Sequence, residues 1–122
     1  MTRVLLVATA FAALTAPALA DNYPVSGRWG PSAGSDNGAI DCSGKRVIAF
    51  SGDQRTDSNG GVPAYRNKSV TANGASRWRV VDEFTTGQIS AAHTTYTLQQ
   101  VDDYHIVMDL QPGGTLKLQR CK

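Results

Sequence analysis

The chain has 122 residues, enough for one domain with one core, and carries twelve basic residues against ten acidic ones for a net charge of +2. The charges are scattered rather than blocked, and so small an imbalance offers no basic face, which excludes nucleic acid as a partner. Twelve glycines, all beyond residue 20, and the lack of long runs of helix formers mark a β composition.

In chain order, the first element is a leader. Arg3, the apolar run 4–14, Pro17 and Ala18-Leu19-Ala20 read as a secretory signal peptide over residues 1–20, removed after Ala20. About a dozen apolar residues fall short of the ~20 that span a bilayer, and no second run is longer. The expectation is therefore export to the periplasm or medium, with residues 21–122 as a single domain and no membrane span after cleavage. Loss of Arg3 leaves eleven basic residues against ten acidic ones. An oxidising destination lets the only two cysteines, Cys42 and Cys121, pair, and a disulfide between them is predicted.

Strand signals follow. Residues 23–29 read as a first strand and 46–50 as a short apolar one, separated by the turn-rich stretch 30–38. Residues 51–63, with Asn59-Gly60-Gly61, read as a long loop, and 65–71 as a polar, edge-like strand. Trp78, Val80 and Phe84 keep a period of two, with Asp82 falling on the apolar side. Residues 94–121 read as a three-stranded meander. It reverses at Asp102-Asp103, alternates through Tyr104, Ile106, Met108 and Leu110, turns at Gln111-Pro112-Gly113-Gly114 and resumes with Leu116 and Leu118. Seven or so strands without a helix predict an all-β fold: a small antiparallel up-and-down barrel, or a sandwich as the alternative.

Gly27-Arg28-Trp29 on the first strand resembles the G-x-W of the calycin barrels, the lipocalins, fatty-acid-binding proteins and avidins, and Arg120 resembles the late basic residue that packs over that tryptophan. Asp103-Tyr104 is similar to part of a second lipocalin motif. The resemblance implies a calycin or lipocalin-like barrel with Trp29 buried at one end under Arg120, Lys117 being the fallback. Length, export and a single disulfide are also similar to small bacterial inhibitors of secreted metalloproteases. Those close a short loop near the N-terminus, whereas Cys42 and Cys121 span most of the domain.

Motifs that carry chemistry lack their contexts. Gly30-Pro31-Ser32-Ala33-Gly34 has the letters of a nucleophile elbow, but no helical pattern follows and the domain is too small for the parallel sheet such a site needs, so a flexible loop is expected. His93 and His105 are the only histidines and stand without ligand-spaced cysteines or carboxylates, so no metal is expected, and alternation turns His105 to solvent. Asp57-x-Asn59-Gly60 resembles a calcium-loop fragment, but Lys68 stands where a glutamate is required. Asn67-Lys68-Ser69 has sequon form, discounted because the alanine-rich leader suggests a bacterium. Asp82-Glu83 face opposite sides of a strand and Asp102-Asp103 occupy a turn, so neither pair converges as glycosidase acids do.

Tyr23, Trp29, Tyr65, Trp78, Phe84, Tyr96 and Tyr104 are expected mainly to fill the interior of so small a barrel. Tyr65 and Arg66 are the expected rim exceptions. The expected function is an exported, non-enzymatic binding module without a cofactor, taking an unknown small ligand or protein partner. A protease inhibitor and a structural envelope protein are the alternatives. The expected binding surface is the 51–63 loop at the open end, through Asp53, Arg55, Asp57, Tyr65 and Arg66, because such loop length exceeds what a hairpin needs.

Overall fold

The computed structural model describes residues 22–34, 37–58, 64–85, 92–110 and 113–122; residues 1–20, expected to be a leader, lie outside them. Eight antiparallel strands follow one another around a closed barrel: β1 Gly27–Pro31, β2 Ile48–Ser51, β3 Gln54–Asp57, β4 Ala64–Ala72, β5 Arg77–Phe84, β6 His93–Asp102, β7 His105–Leu110 and β8 Gly114–Arg120. Each strand pairs with the next, and β8 closes on β1 with Trp29 opposite Arg120 and Pro31 opposite Leu118. Closure leaves no strand edge to template another chain, which settles barrel over sandwich.

Alternation explains the interior. Val80 and Asp82 on β5, Tyr96 and Leu98 on β6, Ile106 and Met108 on β7, and Leu118 on β8 are buried, while Arg79, Gln99 and Lys117 between them are exposed. Trp29, Ile48 and Phe50 complete the core from β1 and β2.

One end of the barrel is capped. Gly27 takes a φ of +98°, a left-handed conformation that suits glycine, and a β-carbon there would come within 2.8 Å of Arg120 Nη1. The chain before it turns under the barrel and buries Tyr23 and Val25. Trp29 is fully buried and donates its indole N–H to the Ser26 carbonyl at 3.1 Å. Arg120 lies 4.4 Å from the Trp29 ring and donates to the carbonyls of Asp103 and Ser26. The contact expected from Gly27-x-Trp29 is therefore present, with Arg120 rather than Lys117.

The connection from β1 to β2 runs back along the outside of β8. Ile40 bridges Cys121 in parallel, Gln119 Nε2 donates to the Gly38 carbonyl at 2.7 Å, and Cys42 bonds Cys121 with α-carbons 5.6 Å apart. Ser32, read as part of an elbow motif, is engaged with Gln119 in this strap.

Five expectations need correction. The first strand starts at Gly27 rather than residue 23, because the left-handed glycine separates it from the segment beneath the barrel. Residues 51–58 are not a loop: they form the β2–β3 hairpin, turning at Gly52 and Asp53, while 59–63 lie outside the described residues. The 65–71 strand is no edge, since β4 pairs on both sides; its polar Asn67 faces inward and a register shift falls between Asn67 and Ser69. Tyr104 sits on the β6–β7 turn, 40 % exposed, because Asp102 accepts its backbone N–H and ends the strand pattern before it. His105 is correspondingly half-buried, its Nδ1 2.8 Å from the Asp102 carboxylate.

Candidate functional site

The barrel has two unlike ends. The β2–β3, β4–β5 and β6–β7 turns lie at the Trp29 end, while β3, β5 and β7 finish and β4, β6 and β8 begin at the other. At this second end lies a cavity of about 160 Å³ bounded by Arg46, Ile48, Arg55, Asp57, Tyr65, Thr94, Met108, Leu110 and Leu116. These residues come from six of the eight strands and the approach to β2, so the site exists only because the barrel closes.

The floor of the cavity is a buried polar cluster. Arg55 on β3 points inward, is 4 % exposed, and donates through Nε to Asp82 Oδ2 at 2.8 Å; Asp82 is fully buried. Tyr96 donates its hydroxyl to the same oxygen at 2.9 Å, and Asn67 Nδ2 approaches Oδ1 at 3.4 Å. The Arg55 guanidinium lies 3.8 Å from the Tyr65 ring centroid and 5.0 Å from that of Tyr96, and Tyr65 in turn meets Phe84 edge-on. An ion taken out of water costs several kcal/mol unless paired and hydrogen-bonded, and the Asp82 contacts supply both. Burial works against the charge of Arg55, but neighbouring Tyr96 and Asp82 outweigh it and hold the group protonated. Burial pushes the Tyr96 and Tyr23 hydroxyls well above their ordinary pKa, with Asp82 adding to both. Tyr23 Oη, buried in the same cluster, makes no hydrogen bond of good geometry.

A second pair sits nearer the mouth. Arg46 grips Asp57 with two parallel bonds, Nε to Oδ1 at 3.0 Å and Nη2 to Oδ2 at 2.7 Å. Such a fork is geometrically rigid, so it fixes one wall of the cavity. The opposite wall is apolar: Met108, Leu110 and Leu116, with Ile48 beside them.

The residues expected at a binding surface are divided among different places. Arg55, Asp57 and Tyr65 line the interior cavity. Arg66, exposed and paired across from Gln54, faces outward onto a smaller depression of about 130 Å³. Asp53 lies at the β2–β3 turn, toward the Trp29 end, where its carbonyl accepts the Asn67 amide. Asp82, Tyr96, Asn67, Arg46 and Thr94 went unrecognised as site residues, although the carboxylate of Asp82 on an apolar face was the visible signal. A larger furrow of about 330 Å³ on the outer wall, along Asn73, Arg77, Thr97, Gln99 and Asp109, is bounded by outward side chains with no buried group aimed into it.

Among the described residues, no group of three or more histidines, cysteines or carboxylates is placed to hold a metal ion. Compared with known proteins, the chain matches no family model, no curated protein and no solved structure.

Proposed function

We propose that the protein is an exported, non-enzymatic binding protein of the calycin type that holds one small molecule at the barrel end opposite Trp29. The cavity over Arg55 carries this reading: it combines an apolar wall with a few fixed polar groups, the composition of small-molecule sites. An eight-stranded barrel has room for its own side chains or one small ligand, and here the described residues fill the lower interior and leave a cavity of about 160 Å³ in the upper. The calycin reading is supported by the closed meander, Gly27 and the Arg120–Trp29 contact; export is supported by the leader sequence and is compatible with the Cys42–Cys121 bond. Mass analysis of the exported protein then finds an N-terminus at Asp21.

The test is a ligand-observed NMR screen of small fragments against the oxidised protein, repeated with Leu116→Trp, which fills the cavity from its wall. Overpacking costs about 1–3 kcal/mol, so Leu110→Phe serves as a milder second filling variant. Fragments that bind the wild type and are lost with both variants support the site. Fragments retained by both place binding elsewhere, on the outer wall.

A further inference from the structure

Resting on the reading of the cavity as a ligand site, we infer that its occupant is an uncharged molecule of single-ring size carrying a hydrogen-bond acceptor. The size follows from the volume. A cavity near 150 Å³ accommodates benzene, and this one is about 160 Å³. Nothing longer can extend inward, because Arg55, Asp82, Tyr96 and Tyr23 fill the section below the floor, and Phe50 and Trp29 fill the section beneath that.

The neutrality follows from how the wall is wired. Both cations bordering the cavity are already matched: Arg46 by Asp57 through a two-bond fork, and Arg55 by Asp82 at 2.8 Å. A carboxylate entering the cavity finds no unmatched cation: sharing an arginine with its aspartate sets two anions against one cation, and drawing the arginine away takes it from the aspartate it neutralises. An ammonium ligand faces the mirror problem at Asp57. Either way one ion is left desolvated, at a cost of several kcal/mol. An amide, ketone or similar acceptor leaves both pairs intact. It takes a hydrogen bond from the guanidinium of Arg55, which uses only part of its donor set on Asp82, or from the Thr94 hydroxyl. The ring then lies against Ile48, Met108, Leu110 and Leu116.

The inference is tested by calorimetric titration of the oxidised protein with benzamide, benzoate, benzylammonium and biphenyl-4-carboxamide at pH 7. Benzamide is expected to bind saturably, the two ions at least about tenfold more weakly, since even a third of the penalty for an unpaired ion gives that factor. Biphenyl-4-carboxamide gains nothing over benzamide. Leu116→Trp and Leu110→Phe abolish benzamide binding while keeping the far-UV circular dichroism spectrum and a single cooperative urea transition. If either ion binds as tightly as benzamide and the filling variants still abolish it, neutrality is overturned while the cavity remains the site. A biphenyl that binds more tightly overturns the size limit. Benzamide binding that survives both variants, or no binding by any probe, overturns the cavity reading and this inference together.

Discussion

Replacing Asp82 by Asn keeps the shape of the side chain and removes the charge that the buried Arg55 guanidinium faces. Arg55 Nε sits 2.8 Å from Asp82 Oδ2, with side-chain exposures of 4 % and 0 %, so water cannot take over the lost role. Breaking a buried ion pair on one side costs about 3–5 kcal/mol, a large share of the 5–15 kcal/mol that holds a typical domain together. With a urea slope of about 1.5 kcal/mol/M for a domain of this size, the midpoint falls by about 2–3 M. The measurement is urea unfolding of the oxidised protein, followed by the fluorescence of Trp29 and Trp78. Removing both charges in Arg55→Met/Asp82→Leu, with Tyr96→Phe to avoid stranding its hydroxyl, recovers at least about 2 kcal/mol relative to Asp82→Asn, because no lone ion remains. A loss below about 1 kcal/mol for Asp82→Asn, or a triple variant no better than the single one, refutes the claim that Asp82 is what permits Arg55 inside the barrel.

Tyr23 and Tyr96 hold their protons more tightly folded than unfolded, so their contribution to stability is complete below pH ~10 and is lost as pH rises toward their folded pKa values. Stability therefore declines above pH ~10 by up to about 2.7 kcal/mol per pH unit for the two together, and alkaline titration of the unfolding midpoint shows half that slope in either single Phe variant. At neutral pH the same variants part company: Tyr96→Phe loses about 1.5–3 kcal/mol with its bond to the Asp82 carboxylate, whereas Tyr23→Phe stays within about 1 kcal/mol because its hydroxyl meets Asp82 without good hydrogen-bond geometry. Gly27→Ala costs about 1–2 kcal/mol for the left-handed backbone, displaces Arg120, and changes the Trp29 emission spectrum; an unaltered spectrum contradicts the crowding at Gly27. Reducing Cys42–Cys121, which closes a separation of 79 residues, lowers stability by about 4 kcal/mol in urea unfolding with and without reductant.

The parts of the fold that rest on apolar alternation were legible in the sequence. Ile106 and Met108, or Leu116 and Leu118, repeat every second residue and face inward together, so β6 to β8 follow from pattern alone. Trp29 under Arg120 was legible through Gly27, whose conformation and crowding give the motif a physical reason. β3 was illegible because its inward residues are Arg55 and Asp57: a strand that sends charges inside shows the polar composition of a loop. Their partners, Asp82 and Arg46, stand on other segments of the chain, and pairings at that distance leave no periodic trace. The lone carboxylate of Asp82 on an apolar face was a hint of a buried cation, without saying which one. Tyr104 misled for the opposite reason, continuing an apolar alternation past the turn that Asp102 creates.

The central claim is that a small molecule enters the barrel and rests against its inner wall, and Met108 is the natural reporter. The chain has two methionines, Met1 and Met108, and Met108 is fully buried with its side chain on the cavity wall. Titrating benzamide into protein carrying 13C-methyl methionine should shift the Met108 methyl resonance saturably, with an affinity equal to that found by calorimetry, and Leu116→Trp should remove the shift. A Met108 methyl signal that stays in place while benzamide binds, with amide shifts confined to outward residues such as Thr97 and Val107, contradicts the account.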